Sequence, residues 1–163
     1  MTAISQKKVF LNGVVTDRRE IEGILDANSQ TVYPGTIMTM KLATAAVQGK
    51  FTYQPYNRDA DGNNAMMFVL LEDYLQGKTI ADAYTDGARI RMVVPLPGDE
   101  FLLRFGNASG TADDVAIGAM LIADDGTGEV IPTTGSPEYE CAIALETLTD
   151  PSADTALHCM WAH

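Results

Sequence analysis

The chain is 163 residues long, 46% hydrophobic and 20% charged, a composition that supports a globular core and excludes a disordered or collagen-like chain. Its formal net charge of −11 opposes binding to nucleic acid, where Lys and Arg must neutralise phosphates, and docking on anionic membranes. No apolar run reaches the length of a bilayer span; the longest are residues 65–71 and 116–123.

Residues 1–30 are polar and mixed. Lys7, Lys8, Arg18 and Arg19 supply four of the eleven bases. Two lysines precede a brief apolar stretch, but Asn12 and Gly13 interrupt it and residues 17–20 are charged, so the start is a poor secretion signal. Synthesis and use without secretion are expected. Val9, Phe10 and Leu11, with Val14 and Val15, suit a short strand. Residues 18–27 suit one or two helical turns, with Asp17 as cap and Glu20 three residues on. The stretch reads as an extended arm that orders against a partner.

Residues 31–40 begin with a Pro34-Gly35 turn and continue as an alternating strand. Phe51, Tyr53 and Tyr56 surround another turn, and residues 57–64 form a loop. Residues 65–71 are apolar on both faces and predict a central strand. Residues 72–84 are ambiguous; Gly77 cuts any long helix, and residues 79–84 suit one turn. Residues 88–94 alternate, with Ile90, Met92 and Val94 opposite Arg89 and Arg91. After a Pro-Leu-Pro-Gly turn, Phe101, Leu103 and Phe105 share one side of the next strand.

The last third carries short apolar segments separated by turn chemistry: residues 115–123, 129–132, 140–146 and 156–161. Leu157, Cys159 and Trp161 share a core face. The chain therefore predicts an all-β fold with minor α content, a small antiparallel barrel over residues 31–163 with residues 1–30 as the arm. No internal repeat is visible. All eleven Lys and Arg lie at or before Arg104, and residues 105–163 hold ten acids and no base. An acidic surface keeps such a body soluble; the sharper reading is a molecule with a near-neutral docking end.

Possible sites of chemistry are weak. Residues 57–63 resemble the start of a calcium loop, but position twelve falls on Phe68, which has no carboxylate. Cys141, His158, Cys159 and His163 invite zinc, yet adjacent strand residues point to opposite faces, so His158 and Cys159 cannot share a metal. Two cysteines imply no disulfide framework, and both read as buried free thiols. There is no Gly-x-Ser-x-Gly, no phosphate loop, and both histidines lie within six residues of the end. The doubled acids, Asp99-Glu100, Asp113-Asp114 and Asp124-Asp125, flank turns where solvated charge is ordinary. No catalytic group, metal or cofactor is expected.

Two blocks carry a family resemblance. One is Gly118-x-x-Leu121, Asp125-Gly126, Gly128-x-Val130 and Ala142-x-Ala144-Leu145-Glu146. The other is Leu70-Leu71-Glu72, residues 75–84, Arg89-Ile90-Arg91 and residues 97–100. Together they resemble the small capsid decoration (cement) proteins of tailed bacteriophages. The resemblance covers roughly residues 31–161 and rests on turn-and-strand patterns. It implies a β barrel or tulip that forms trimers on the outer face of an icosahedral shell. There it clamps adjacent major capsid protein subunits, with no enzymatic activity and no cofactor. The protein would be made in the host cytoplasm and end on the virion exterior. An arm with Lys7, Lys8, Phe10, Leu11, Arg18 and Arg19 would contact the shell. Two other classes stay open. A fibre-base or carbohydrate-binding module would expose Tyr33, Tyr53 and Tyr56 in a groove. An enzyme built on a carboxylate pair would place acids in a cleft.

Overall fold

The computed structural model describes residues 9–12, 20–27, 30–41, 51–57, 66–106, 114–133, 140–149, 151 and 155–162. They hold eleven strands and one 3-10 turn, Tyr74–Gln76, and no α-helix occurs among them. The all-β expectation holds. The expected helical turns over 18–27 do not: Glu20–Leu25 is a strand, β2. Its Gly23 and Leu25 are buried while Glu20 and Glu22 face solvent, and this alternation overrides the capping pattern at Asp17 and Glu20.

Of the expected arm over 1–30, residues 9–12 and 20–27 belong to the folded body. Phe10–Asn12 forms β1, and β2 belongs to a closed barrel with β3 (Ile37–Met40), β4 (Thr52–Pro55), β5 (Met67–Leu70) and β6 (Arg89–Val93). The strand order around the barrel is β2-β4-β3-β5-β6. This closed barrel thus begins within the segment read as an arm and precedes the last third, where turn chemistry is densest.

The rest of the chain supplies five strands of a six-stranded sheet, with β1 as the sixth. Its strands are β7 (Glu100–Phe105), β8 (Met120–Ala123), β9 (Val130–Pro132), β10 (Glu140–Ala144) and β11 (Thr155–Trp161), in the order β1-β7-β11-β10-β8-β9. β9 also pairs with β7 in parallel, at Phe105 and Val130, which brings the sheet round into a second ring of five strands. Residues 115–119 are not part of β8. Val115 makes an isolated bridge to Leu148, and Ile117 stands in an exposed turn.

The two rings have one topology. In each, the first strand pairs in parallel with the third and antiparallel with the fifth, and the second, fourth and fifth connect in the same antiparallel way. The register matches too. Leu25 faces Tyr53 as Phe105 faces Val130. Glu20 faces Val93 as Glu100 faces Met160. Met38 faces Pro55 as Leu121 faces Pro132. Val69 faces Val93 as Ile143 faces Met160. The turn before the second strand is also repeated. The Val32–Tyr84 bridge corresponds to Val115–Leu148. Gly35 N–H donates to Leu70 O and Gly118 N–H to Ala144 O, each at 2.8 Å, and both glycines hold the positive φ that this turn requires. The chain is a structural duplication, contrary to the reading of no internal repeat.

Each ring fills its interior by a different division of volume. The first uses Tyr53, Phe68 and Tyr84, with the Tyr53 and Phe68 rings edge to face at 5.3 Å. Gly23 makes room for them, since a Cβ there would overlap the Tyr53 ring. The second places Val130 and Ala142 where Tyr53 and Phe68 stand, and fills the space from β7 with Phe101, Leu103 and Phe105, Leu103 being the counterpart of Gly23. Close packing demands the total volume, not its source.

The rings pack on each other. β5 is apolar on both faces because Phe68 and Leu70 line the first interior while Val69 and Leu71 join the core of the second ring, with Ile37, Tyr56 and Val93. Its two-faced character is thus satisfied within one chain and calls for no second copy. Backbone bonds cross the seam from Ile37 N–H to Gly128 O (2.7 Å), Gly126 N–H to Tyr56 O (2.7 Å) and Arg104 N–H to Gly35 O (3.0 Å).

Candidate interaction surface

Of the residues expected to contact a partner, Lys7, Lys8, Arg18 and Arg19 lie outside the described residues. The backbone of Phe10 and Leu11 forms β1, which pairs antiparallel with the start of β7. Val9, just before, is fully buried in the second core. Its N–H donates to Glu72 Oε2 at 2.9 Å, and its carbonyl accepts Leu102 N–H at 2.7 Å. This segment is a structural strand. Deleting residues 1–12 is expected to cost about 2–4 kcal/mol, from the lost Val9 burial and the released partners of Glu72 and Leu102. A urea midpoint measured beside the full chain checks it; an unchanged midpoint would show that β1 adds nothing.

The charge division follows the rings. From Glu100 onward the chain has Arg104 as its single base, and that guanidinium is buried in the seam. Its Nε donates to Pro34 O at 3.2 Å, its Nη2 donates to Ile80 O, and its plane lies 4.7 Å from the Tyr33 ring centre. The first ring balances charges across strands, with Arg89 on Glu22 and Arg91 on Glu20. In the second ring the counterparts of Arg91 and Glu20 are His158 and Glu100, whose Nε2 and Oε2 lie 3.1 Å apart. The same pairing position is kept with a weaker base. The solvent-facing charge of the second ring is therefore dominated by acids.

A cleft of about 280 Å³ opens at the seam, lined by Gln30, Thr31, Tyr33, Thr36, Arg104 and Glu129 among others. Tyr33 is the one aromatic groove candidate found there. Tyr53 and Tyr56 are core residues, and burial pushes the Tyr53 hydroxyl pKa upward. Tyr53 lies in β4 and packs in the interior of the first ring, and Tyr56, just beyond that strand, joins the core of the second.

The other sequence candidates resolve as follows. Leu157, Cys159 and Trp161 do share a buried face, and His158 points away to Glu100. Cys141 and Cys159 are free and buried. Burial pushes the Cys141 thiol up to about 12 and the Cys159 thiol well above its ordinary value. Neither is a thiolate at neutral pH, so neither is a nucleophile. Ellman's reagent at pH 8 is expected to find no reactive thiol in the native protein and both after unfolding; rapid native labelling of either would contradict the buried placement. His163 and the calcium-like loop beyond Asn57 lie outside the described residues. Among the described residues no three His, Cys, Asp or Glu side chains come together as metal ligands.

Of the doubled acids, Asp113 lies outside the described residues; Asp99 accepts Leu96 N–H (3.1 Å) to hold its turn, and Asp124 accepts the Thr127 hydroxyl at 2.7 Å. Asp82 is exposed and held below the usual carboxylate range by the Thr79 hydroxyl and backbone N–H. Compared with known proteins, the chain matches no family model and no curated protein sequence.

Proposed function

We propose that this chain is a structural virion protein that binds the outer surface of an icosahedral phage capsid and clamps adjacent major capsid protein subunits, acting as a homotrimer without catalysis. The observation that carries the reading is the use of the side chains. Among the described residues, most aromatic side chains, both thiols and the buried acids Glu72 and Asp99 serve packing and backbone bonds in two packed β rings, which leaves a body with a polarised charge. Such a body suits adhesion, and several weak contacts on one lattice add up through avidity. The strand and turn pattern of phage decoration proteins supports the same reading.

Residues 1–19 carry four bases and one acid, against the acidic second ring. In this account that basic segment faces the shell. Reversing Lys7, Lys8, Arg18 and Arg19 to Glu is expected to lower binding to undecorated capsids at least about tenfold at low salt, since each exposed pair contributes about 0.2–1 kcal/mol. The folding midpoint should stay unchanged. Co-sedimentation with capsids, at low and high salt, measures it. Equal binding by the reversed variant would remove the basic segment from the contact, and failure of the unaltered chain to bind would remove the function.

The seam cleft favours a second reading, a carbohydrate-binding module of the virion. Tyr33, Thr31, Thr36, Gln30 and Glu129 give a ring face with donors and acceptors, as a sugar needs. A glycan array separates the readings.

A further inference from the structure

The duplication separates what each ring needs for its fold from what occurs once. Four residues of the seam cleft stand at positions whose counterparts differ. The register places Ala116 where Tyr33 stands and Ala119 where Thr36 stands, while Ile24 matches Arg104 and Thr52 matches Glu129. Both rings close with either set, so closure does not require an aromatic ring, a guanidinium and a carboxylate at these places. The seam nevertheless brings all four together around one opening of about 280 Å³, with the exposed Gln30 and Thr31 beside them.

We infer that this cleft takes a single uncharged pyranose, and that Glu129 excludes acidic sugars from it. The inference deepens the carbohydrate reading, on which it rests, and is independent of the capsid reading. The cleft is slightly smaller than the roughly 300–1,000 Å³ of sites that enclose drug-sized molecules, so it admits one sugar ring and not a chain laid along it. Arg104 is committed elsewhere than to an anion. Its Nε and Nη2 donate to the Pro34 and Ile80 carbonyls, and its guanidinium lies against the Tyr33 ring. It fixes that ring from one face, and a ligand meets the other face or the edge, as the apolar side of a pyranose requires. The Thr127 hydroxyl donates to Asp124 and accepts Glu129 N–H, which holds the turn that carries Glu129 into the lining. A carboxylate there accepts strong hydrogen bonds from sugar hydroxyls and repels a second carboxylate. Asp124 and Asp125 in the same turn add to that repulsion. Gln30 and Thr31 offer both donors and acceptors to the remaining hydroxyls.

Isotope-labelled full chain is titrated with the methyl glycosides of glucose, galactose and mannose, and with the matching methyl uronosides, which carry a carboxylate at the sixth carbon. The expected result is saturable shifts at the Thr31, Thr36 and Glu129 amides with at least one neutral glycoside, at a Kd on the order of 1 mM, as a ligand of this size allows. The matching uronoside should bind at least about tenfold more weakly. Glu129→Gln keeps an acceptor for a hydroxyl and removes the charge, so it should retain the neutral sugar and close that gap. Tyr33→Ala should abolish the shifts, while Tyr33→Phe keeps them. No saturable shift with any neutral glycoside would overturn the carbohydrate reading and the inference with it. A uronoside bound as tightly as its neutral partner, or a gap that survives Glu129→Gln, would overturn the inference alone. Undiminished binding by Tyr33→Ala would overturn it too, by placing the sugar elsewhere.

Discussion

Replacing Gly128 by alanine is expected to destabilise the protein by about 3 kcal/mol or more, which lowers the thermal midpoint on the order of 10 °C for a chain of this size. Gly128 has a φ of +69°, where a side chain is strained. Its added Cβ would overlap the Ile37 carbonyl oxygen and come within 2.9 Å of Tyr56 N and Thr36 Cγ2. These neighbours are backbone and a buried threonine of the first ring, so they cannot swing aside. The same residue's carbonyl accepts Ile37 N–H across the seam. The contrast is Gly126, also at positive φ but with nothing near its Cβ. Gly126→Ala should cost only the conformational term, about 1 kcal/mol. Differential scanning calorimetry of the two variants checks the seam. Equal losses would mean that the rings are not in close contact there.

The second large effect tests the division of volume between the rings. Gly23→Leu is expected to cost about 3 kcal/mol, because the new side chain competes with the Tyr53 ring. Tyr53→Val should cost a similar amount by leaving a cavity beside Phe68. Combined, they install the arrangement that Leu103 and Val130 already use in the second ring. The double variant should lose less than the sum by about 2 kcal/mol, a coupling read from urea midpoints in a double-mutant cycle. Additive losses would show that the correspondence of the two rings stops at the backbone.

Most strands are legible from alternation, and the clearest case is Phe101, Leu103 and Phe105, all buried as their spacing requires. Strands with one conflicting local signal are not. β2 reads as a helix start because Asp17 and Glu20 mimic a capping box, and Gly23 hides its apolar face. β4 reads as a turn because its four residues end in Pro55. Tyr53 then looks like a groove aromatic, when it is a core residue whose space Gly23 provides. The duplication leaves few residues in common, among them Glu20 and Glu100, Val32 and Val115, Gly35 and Gly118, Pro55 and Pro132, and Leu71-Glu72 against Leu145-Glu146. Unequal connections, eleven residues between β3 and β4 against six between β8 and β9, destroy any fixed period. The signal that could have found it is the pairing of Val-x-x-Gly with the later Leu-Glu in each half.

Electron cryomicroscopy of capsids assembled with and without this protein tests the proposed adhesive role most directly. The account predicts density for a two-ring β body on the outer shell face, three copies around a local three-fold axis, lost when the reading frame is deleted. Shells whose outer surface is identical with and without the protein would contradict it.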